Sequence, residues 1–206
     1  MKRFVCDFLI RVGRCFSPLH KIKNGGGYLL NKIYSGYISG QFNLQDNNSF
    51  SCEAPVYIGG GECITIMSGH LRRGCRISAI KKYAGVSYKP QIIIGSNFNL
   101  GINTHIGAIN CIKIGDNFLS GANCLITDHT HGSDLIKECD IAPVDRELFS
   151  KGEVIIGNNV FMGENSIVLP NVHIGNNVII GASTVVTKNI PSNSIAVGNP
   201  MRIKQY

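Results

Sequence analysis

The stretch Ile156-Gly157-Asn158-Asn159-Val160-Phe161-Met162-Gly163-Glu164-Asn165-Ser166-Ile167-Val168-Leu169-Pro170-Asn171-Val172-His173-Ile174-Gly175-Asn176-Asn177-Val178-Ile179-Ile180-Gly181-Ala182-Ser183-Thr184-Val185-Val186 decides the fold. An unbranched or branched aliphatic side chain recurs at 156, 162, 168, 174, 180 and 186, with Gly after Ile156, Met162, Ile174 and Ile180. A period of six is useless to an α-helix, because successive repeats fall on widely rotated faces of a 3.6-residue spiral. It suits a chain that turns a corner every six residues. Three such sides close a coil of 18 residues, with the aliphatic residue inside and Gly or Asn at the corner, where left-handed dihedrals are easiest. Stacked coils then pair as parallel strands about 4.8 Å apart.

Working outward, the phase reappears upstream at Ile94, Leu100 and Ile106, slips by two residues to Ile114, and returns at Ile126. Four coils follow, over 94–111, 114–131, 156–173 and 174–191, and a weaker stretch from Val56 to Ile80 adds one or two more. Residues 132–153 break the period and carry charges and Pro143, which predicts a loop ejected from the side of the stack. The expected layout is an N-terminal helical or irregular cap over residues 1–55 and an all-β parallel coil over 56–206. A β-sandwich would show period-two alternation and hairpin turns every 8–12 residues. Neither is present.

Composition agrees. Gly is abundant at 24 residues and charged residues make up only 16 %, which suits many tight turns and few solvated helix faces. The eight cysteines, at 6, 15, 52, 63, 75, 111, 124 and 139, form no C-x-x-C pair and read as buried free thiols of a reducing compartment rather than a disulfide framework. A formal net charge of +7 fits nucleic acid, an anionic membrane surface or a small polyanion such as a nucleotide cofactor. No Arg-rich stripe or aromatic RNA-binding signature accompanies it, so no nucleic-acid partner is expected. The opening Met1–Arg11 has the look of a signal peptide, but Asp7 and Arg11 interrupt it and its apolar run is too short to span a bilayer. Residues 2–16 read as an amphipathic helix that caps the fold or touches a membrane surface, giving a cytoplasmic protein, peripheral at the inner membrane in the second case.

The hexads, the segment Asp128-His129-Thr130-His131-Gly132 before the ejected loop, and the run from Ile180 to Pro191 through Val197-Gly198-Asn199-Pro200-Met201-Arg202 resemble the hexapeptide-repeat acyltransferases. The likeness covers about residues 90–206 and is similar to the galactoside and maltose acetyltransferases; the Asp-His-Thr-His-Gly form looks most like O-acetyltransferases of capsule and lipopolysaccharide sugars. The resemblance implies a left-handed parallel β-helix, a homotrimer with active sites between subunits, and acetyl transfer from acetyl-CoA to a sugar hydroxyl, with no metal.

Acetyl transfer to a hydroxyl needs a base for the attacking proton and a donor for the oxyanion. Histidine suits the first task because at neutral pH it is largely neutral yet basic. Counting hexads puts His131 at the last place of its coil, and the resemblance matches it to the family's catalytic His, eight residues after Asn123; His129 is the alternative. Asp128 orients either ring by accepting from its other nitrogen, or is a solvated carboxylate. His173 falls one coil below His131 at the same corner. His129, His131 and His173 are also the residue types of a zinc site, a reading that the acetyltransferase-like C-terminal run disfavours. His20, His70 and His105 read as surface or corner residues.

For the cofactor, the resemblance places the pantetheine arm along backbone at Gly163, Gly181 and Ala182, near Thr187 and Lys188, with Arg202 and Lys204 toward the phosphates. An N–H near Gly163 is expected to serve the oxyanion. Two departures stand out: Glu164 replaces a small polar residue, and Gln205 a second tail Arg. Phe161 takes the place of an aromatic beside the site. Acceptor contacts are expected from Asn99, Asn103 and Asn110 and from Asp134, Glu138, Asp145 and Arg146 of the loop, since sugar hydroxyls favour amides and carboxylates. Acetylation of another small acceptor (an amino sugar, serine or an antibiotic) and a catalytically silent solenoid remain the alternatives.

Overall fold

In the computed structural model, which describes residues 26–46, 49–133 and 138–206, the six-residue period is written directly into the backbone. Positive φ occurs at Asn97, Asn103, Asn117, Asn123, Asn159, Asn165, Asn171, Asn177 and Ser183, with values from 56° to 61°. Each is the third residue after an inward-facing one. Asn tolerates the left-handed region because its short side chain finds local hydrogen-bond partners. The glycines that follow the inward residue have a different purpose from the one expected of them. Gly101 is not left-handed, and a Cβ there would run into the carbonyl oxygen of Gly121 on the next turn. Asparagine bends the chain; glycine lets the turns stack.

Successive strands are dealt to three parallel sheets in rotation. The first sheet takes Asn43–Leu44, Ile64–Ile66, Gln91–Ile94, Cys111–Ile114, Val154–Ile156 and His173–Ile174. The second takes Phe50–Cys52, Gly69–Leu71, Phe98–Leu100, Leu119–Ser120, Val160–Met162, Val178–Ile180 and Ser194–Val197, closed by the antiparallel strand Arg202–Gln205. The third takes Tyr57–Gly59, Arg76–Ala79, His105–Ala108, Leu125–Thr127, Ile167–Val168 and Val185–Val186. The rotation thus begins at Asn43, upstream of the boundary expected at Val56. The hexad pattern hides there because the first turn is irregularly spaced and longer than three hexads, Leu44 pairing with Ile66.

The core runs down the middle of the three sheets. Ile64, Ile66, Leu71, Ile77, Ile92, Leu100, Ile106, Ile112, Ile126, Met162, Val168, Val178, Ile180 and Val186 have no measurable exposure. Each such side chain contributes about 1.5–3 kcal/mol relative to an exposed one. Outside, asparagine ladders clip the corners together. Nδ2 donates to Oδ1 from Asn97 to Asn117 (2.8 Å), Asn117 to Asn159 (2.8 Å), Asn159 to Asn177 (3.0 Å) and Asn177 to Asn193 (3.0 Å). A second ladder joins Asn103, Asn123 and Asn165.

The α-helix α1 (Gly26–Ser39) packs on the first turn. The Tyr34 hydroxyl accepts from Val56 N–H at 2.7 Å and the Ser35 hydroxyl from Cys52 N–H at 2.9 Å. No helix among the described residues is long and apolar enough to cross a membrane. The helix expected over residues 2–16 lies outside the described residues.

Among the described residues the chain leaves the stack twice. One departure is the loop after His131, anchored where Thr130–His131 pairs antiparallel with Leu148–Phe149. The other was not anticipated: Lys82–Tyr83 and Val86–Ser87 form a hairpin whose turn residues, Ala84 and Gly85, both have positive φ, the signature of a two-residue hairpin turn. The two excursions meet. The Tyr83 hydroxyl donates to the Val144 carbonyl at 2.7 Å, and Leu148 N–H donates to the Tyr88 hydroxyl at 2.9 Å.

Candidate active site

The strand Leu125–Thr127 sets the site by simple alternation: Ile126 and Asp128 face inward and are buried, while Thr127 and His129 face outward. Asp128 has no exposed surface. A carboxylate at such a place is tolerable only if its oxygens are satisfied. Oδ1 accepts Ile109 N–H at 2.9 Å and Oδ2 accepts Asn110 N–H at 2.8 Å, both from the preceding turn. Oδ1 also lies 2.9 Å from Nδ1 of His129.

That contact fixes the chemistry of the ring. An ionised carboxylate only accepts, so the proton between the two groups belongs to Nδ1 of His129. In the neutral ring Nε2 then presents a lone pair. The Thr127 hydroxyl, 3.3 Å from the same Nδ1, flanks it. With 12 % of its side chain exposed, His129 is enclosed but reachable. The arrangement can take a proton at Nε2 and return it.

The sequence reading favoured His131 as the base, with His129 as the alternative, and the structure gives the buried carboxylate to His129 instead. Asp128 is spent on His129 and the two backbone N–H groups. His131 is exposed, sits at the base of the ejected loop, and packs edge-on against Tyr83 with ring centroids 5.2 Å apart. His173 is remote from the dyad in its partners: it faces out of the first sheet opposite Ile155, and its Nε2 lies 3.9 Å from Glu153 Oε1. The three histidines offered as zinc ligands therefore hold separate partners, and no group of three metal-ligating side chains occurs among the described residues.

His105, read from the sequence as a surface or corner residue, lies beside the dyad. It faces outward two residues before Gly107, and a Cβ on Gly107 would stand 3.4 Å from both His105 Nε2 and His129 Cε1. Burial, the Arg76 guanidinium and His129 hold the His105 imidazole below its ordinary pKa. A count of facing along the strand, rather than of hexads alone, would have found it.

The residues expected to hold the donor occupy the lower turns. Gly163 is packed against Ala182, whose backbone leaves no room for a Cβ, and its N–H donates to Ile180 O at 2.8 Å. That commitment removes the Gly163 N–H as the oxyanion donor. The Gly181 N–H is likewise engaged, by Ala196 O. Thr187, Lys188, Arg202 and Lys204 are exposed on the last turn and the closing strand, Lys204 with its ammonium 4.8 Å from the ring of Tyr206. Phe161 is 41 % exposed on the second sheet, between Leu119 and Ile179.

Of the acceptor candidates, Asn103 belongs to a corner ladder, and Asn110 meets the site through its backbone N–H. Glu138 accepts from Ser133 N–H and hydroxyl at 3.1 Å, and Arg146 donates to Ile141 O at 2.9 Å, so both brace the loop itself. Asp134 lies outside the described residues. A separate cavity of about 850 Å³ opens between α1 and the first turns, lined by polar groups that include Ser51, Glu53 and His70; none of the sequence-predicted site residues lines it.

Residues 153–188 match the family described as bacterial transferase hexapeptide (six repeats). WbbJ of Escherichia coli K12, named for O-acetyl transfer in lipopolysaccharide biosynthesis, is 39 % identical over 120 residues, which is 56 % of this chain and 61 % of WbbJ. The galactoside O-acetyltransferase of the same organism is 38 % identical over 122 residues, 57 % of this chain and 55 % of that protein. The matches thus span less than two thirds of these relatives. Among solved structures, a mutant of AntD, an N-acyltransferase from Bacillus cereus held with dTDP and coenzyme A, superposes with a TM-score of 0.66 at 20 % identity, covering 82 % of this chain and 87 % of that one. The resemblance to the hexapeptide-repeat acyltransferases read from the sequence holds.

Proposed function

We propose that this hexapeptide-repeat chain is an acetyl-CoA-dependent O-acetyltransferase acting on a saccharide hydroxyl, of a capsular or lipopolysaccharide unit or its precursor, with His129 as general base. The observation that carries the reading is the buried Asp128 carboxylate 2.9 Å from His129 Nδ1, which commits Nε2 to proton acceptance. The O-acetyl transferase names of the relatives supply the acyl group and the acceptor class. The three-sheet rotation is read as the left-handed parallel β-helix of the family.

In this reaction His129 Nε2 removes the acceptor proton as the hydroxyl oxygen attacks the thioester carbonyl carbon. Asp128 stabilises the imidazolium that results and keeps its tautomer. As the C–S bond breaks, His129 returns the proton to the departing sulfur, leaving an acetyl ester and free CoA. Gly163, Gly181, Ala182, Thr187 and Lys188 would border the pantetheine, with Arg202 and Lys204 near the phosphates. We place these groups across an interface from His129 in a homotrimer, and the reaction in the cytoplasm.

Thermal shift with acetyl-CoA and CoA tests the donor. A ligand at 100 times its Kd stabilises by about 2.7 kcal/mol, and a raised midpoint with both is expected. Free thiol release with a panel of saccharides then tests the acceptor. No stabilisation by either thioester or thiol would overturn the reading; transfer only to amines would correct the acceptor. Light scattering that finds a monomer would overturn the trimeric placement.

A further inference from the structure

We infer that His105 is a positioning residue for His129, backing the imidazole of the proposed base across the gap left by Gly107. The inference rests on the reading of His129 as base and deepens it. Three observations support it. The strand His105–Ala108 and the strand Leu125–Thr127 pair in register, His105 with Leu125 and Gly107 with Thr127, so the His105 and Thr127–His129 side chains rise from the same face. Gly107 leaves open the space that both rings border at 3.4 Å from its absent Cβ. Finally, His105 Nε2 is buried and has no hydrogen-bond partner, alone in this among the buried side-chain nitrogens and oxygens of the described residues.

An unsatisfied buried nitrogen destabilises the fold, and a plain structural filler for this place would be apolar. An imidazole here makes chemical sense beside a ring that becomes a cation during turnover. The charged groups that face the pair are Arg76, from the preceding turn beside His105, and Asp128, bonded to His129. Burial and the Arg76 charge both keep His105 uncharged. A neutral His105 offers a dipole to the His129 imidazolium, whereas a second cation next to Arg76 would oppose its formation.

The test uses the full chain and two readouts. Imidazole NMR titration of His129 is followed without donor or acceptor, in wild type, His105→Gln, His105→Leu and His105→Lys. The Lys variant, folded by circular dichroism, is expected to lower the His129 midpoint by about a pH unit or more, as a like charge nearby does; Gln leaves it within a few tenths. In turnover, Leu is expected to lower kcat about tenfold with the acetyl-CoA KM unchanged, and Gln to recover most of it. A His129 midpoint insensitive to Lys, or equal losses for Gln and Leu, overturns the role of His105. Coupling in the titration with no acetyl transfer by wild type would preserve the His105–His129 relationship and overturn the proposed function instead. If Lys does not fold, the Gln and Leu comparison of kcat decides.

Discussion

Asp128 Oδ1 lies 2.9 Å from His129 Nδ1 while the same carboxylate accepts the backbone N–H groups of Ile109 and Asn110 from the turn above. A strand-to-strand structural clamp and the orientation of an outward imidazole are therefore one set of hydrogen bonds.

Removing the proposed base separates the two histidines of the motif. His129→Ala is expected to lower kcat about 10²–10⁴-fold, the usual worth of a general base. His131→Ala removes only an exposed ring that packs on Tyr83, and kcat should fall less than tenfold. Acetyl-CoA-dependent thiol release measured on both variants checks this. A larger loss at His131 would reverse the assignment.

Asp128→Asn should cost both stability and activity. An amide cannot accept from both backbone N–H groups and from Nδ1–H together. Either a buried N–H goes unpaired, at about 1–3 kcal/mol, or His129 switches tautomer and loses its basic Nε2. Urea denaturation and kcat on the same preparation are expected to fall together.

Gly107→Ala places a methyl at 3.4 Å from both His105 Nε2 and His129 Cε1. The backbone there is not left-handed, so the fold should survive with a midpoint within a few degrees of wild type. Turnover should drop several-fold because the His129 ring must shift. Unchanged turnover would mean that the ring position is not critical.

Asn159 has φ of 57° and links Asn117 to Asn177 in the longer ladder. Replacing it with Ala keeps the strained dihedral without the amide and should destabilise by about 1–2 kcal/mol from the backbone alone. Gly relieves the dihedral but not the ladder, so its cost should be smaller. Ranking Ala and Gly variants by thermal midpoint tests which function of the corner residue dominates.

Burial pushes the Cys75 thiol up to about 11 from its ordinary 9.0, and raises Cys52 and Cys124 as well. A raised thiol pKa means that the folded state binds the proton more tightly. The associated stability is complete below pH 9 and is lost as pH climbs toward 11. At pH 8 these thiols should resist a disulfide reagent until the chain unfolds, while the exposed Cys139 reacts at once. Labelling followed by peptide mass mapping measures the order.

Much of the architecture was legible because a six-residue period leaves few alternatives. From Ile156 to Val186 every inward position and every corner follows from counting, since each hexad repeats the same inward residue and the same bend. The ejection of residues 132–153 was visible as a break in phase. The strands Asn43–Leu44 and Phe50–Cys52 were not, because their spacing departs from six, and the hairpin at Tyr83 was hidden in a gap between phases. The roles of Gly and Asn could not be told apart either. Both favour corners by dihedral preference, and only the stacking of one turn on the next reveals that Gly101 and Gly163 are there for lack of a Cβ.

By itself, the sequence determined the repeat and the inward face, and it singled out the narrow segment Asp128–His131 that the proposed chemistry uses. Those are local properties: period, side-chain alternation and residue type. Which histidine meets Asp128, that Ile109 and Asn110 hold the carboxylate, and that His105 stands beside the pair were decided by the tertiary structure alone. The last two depend on the register between turns some twenty residues apart, where one residue of slip would exchange the inward and outward faces.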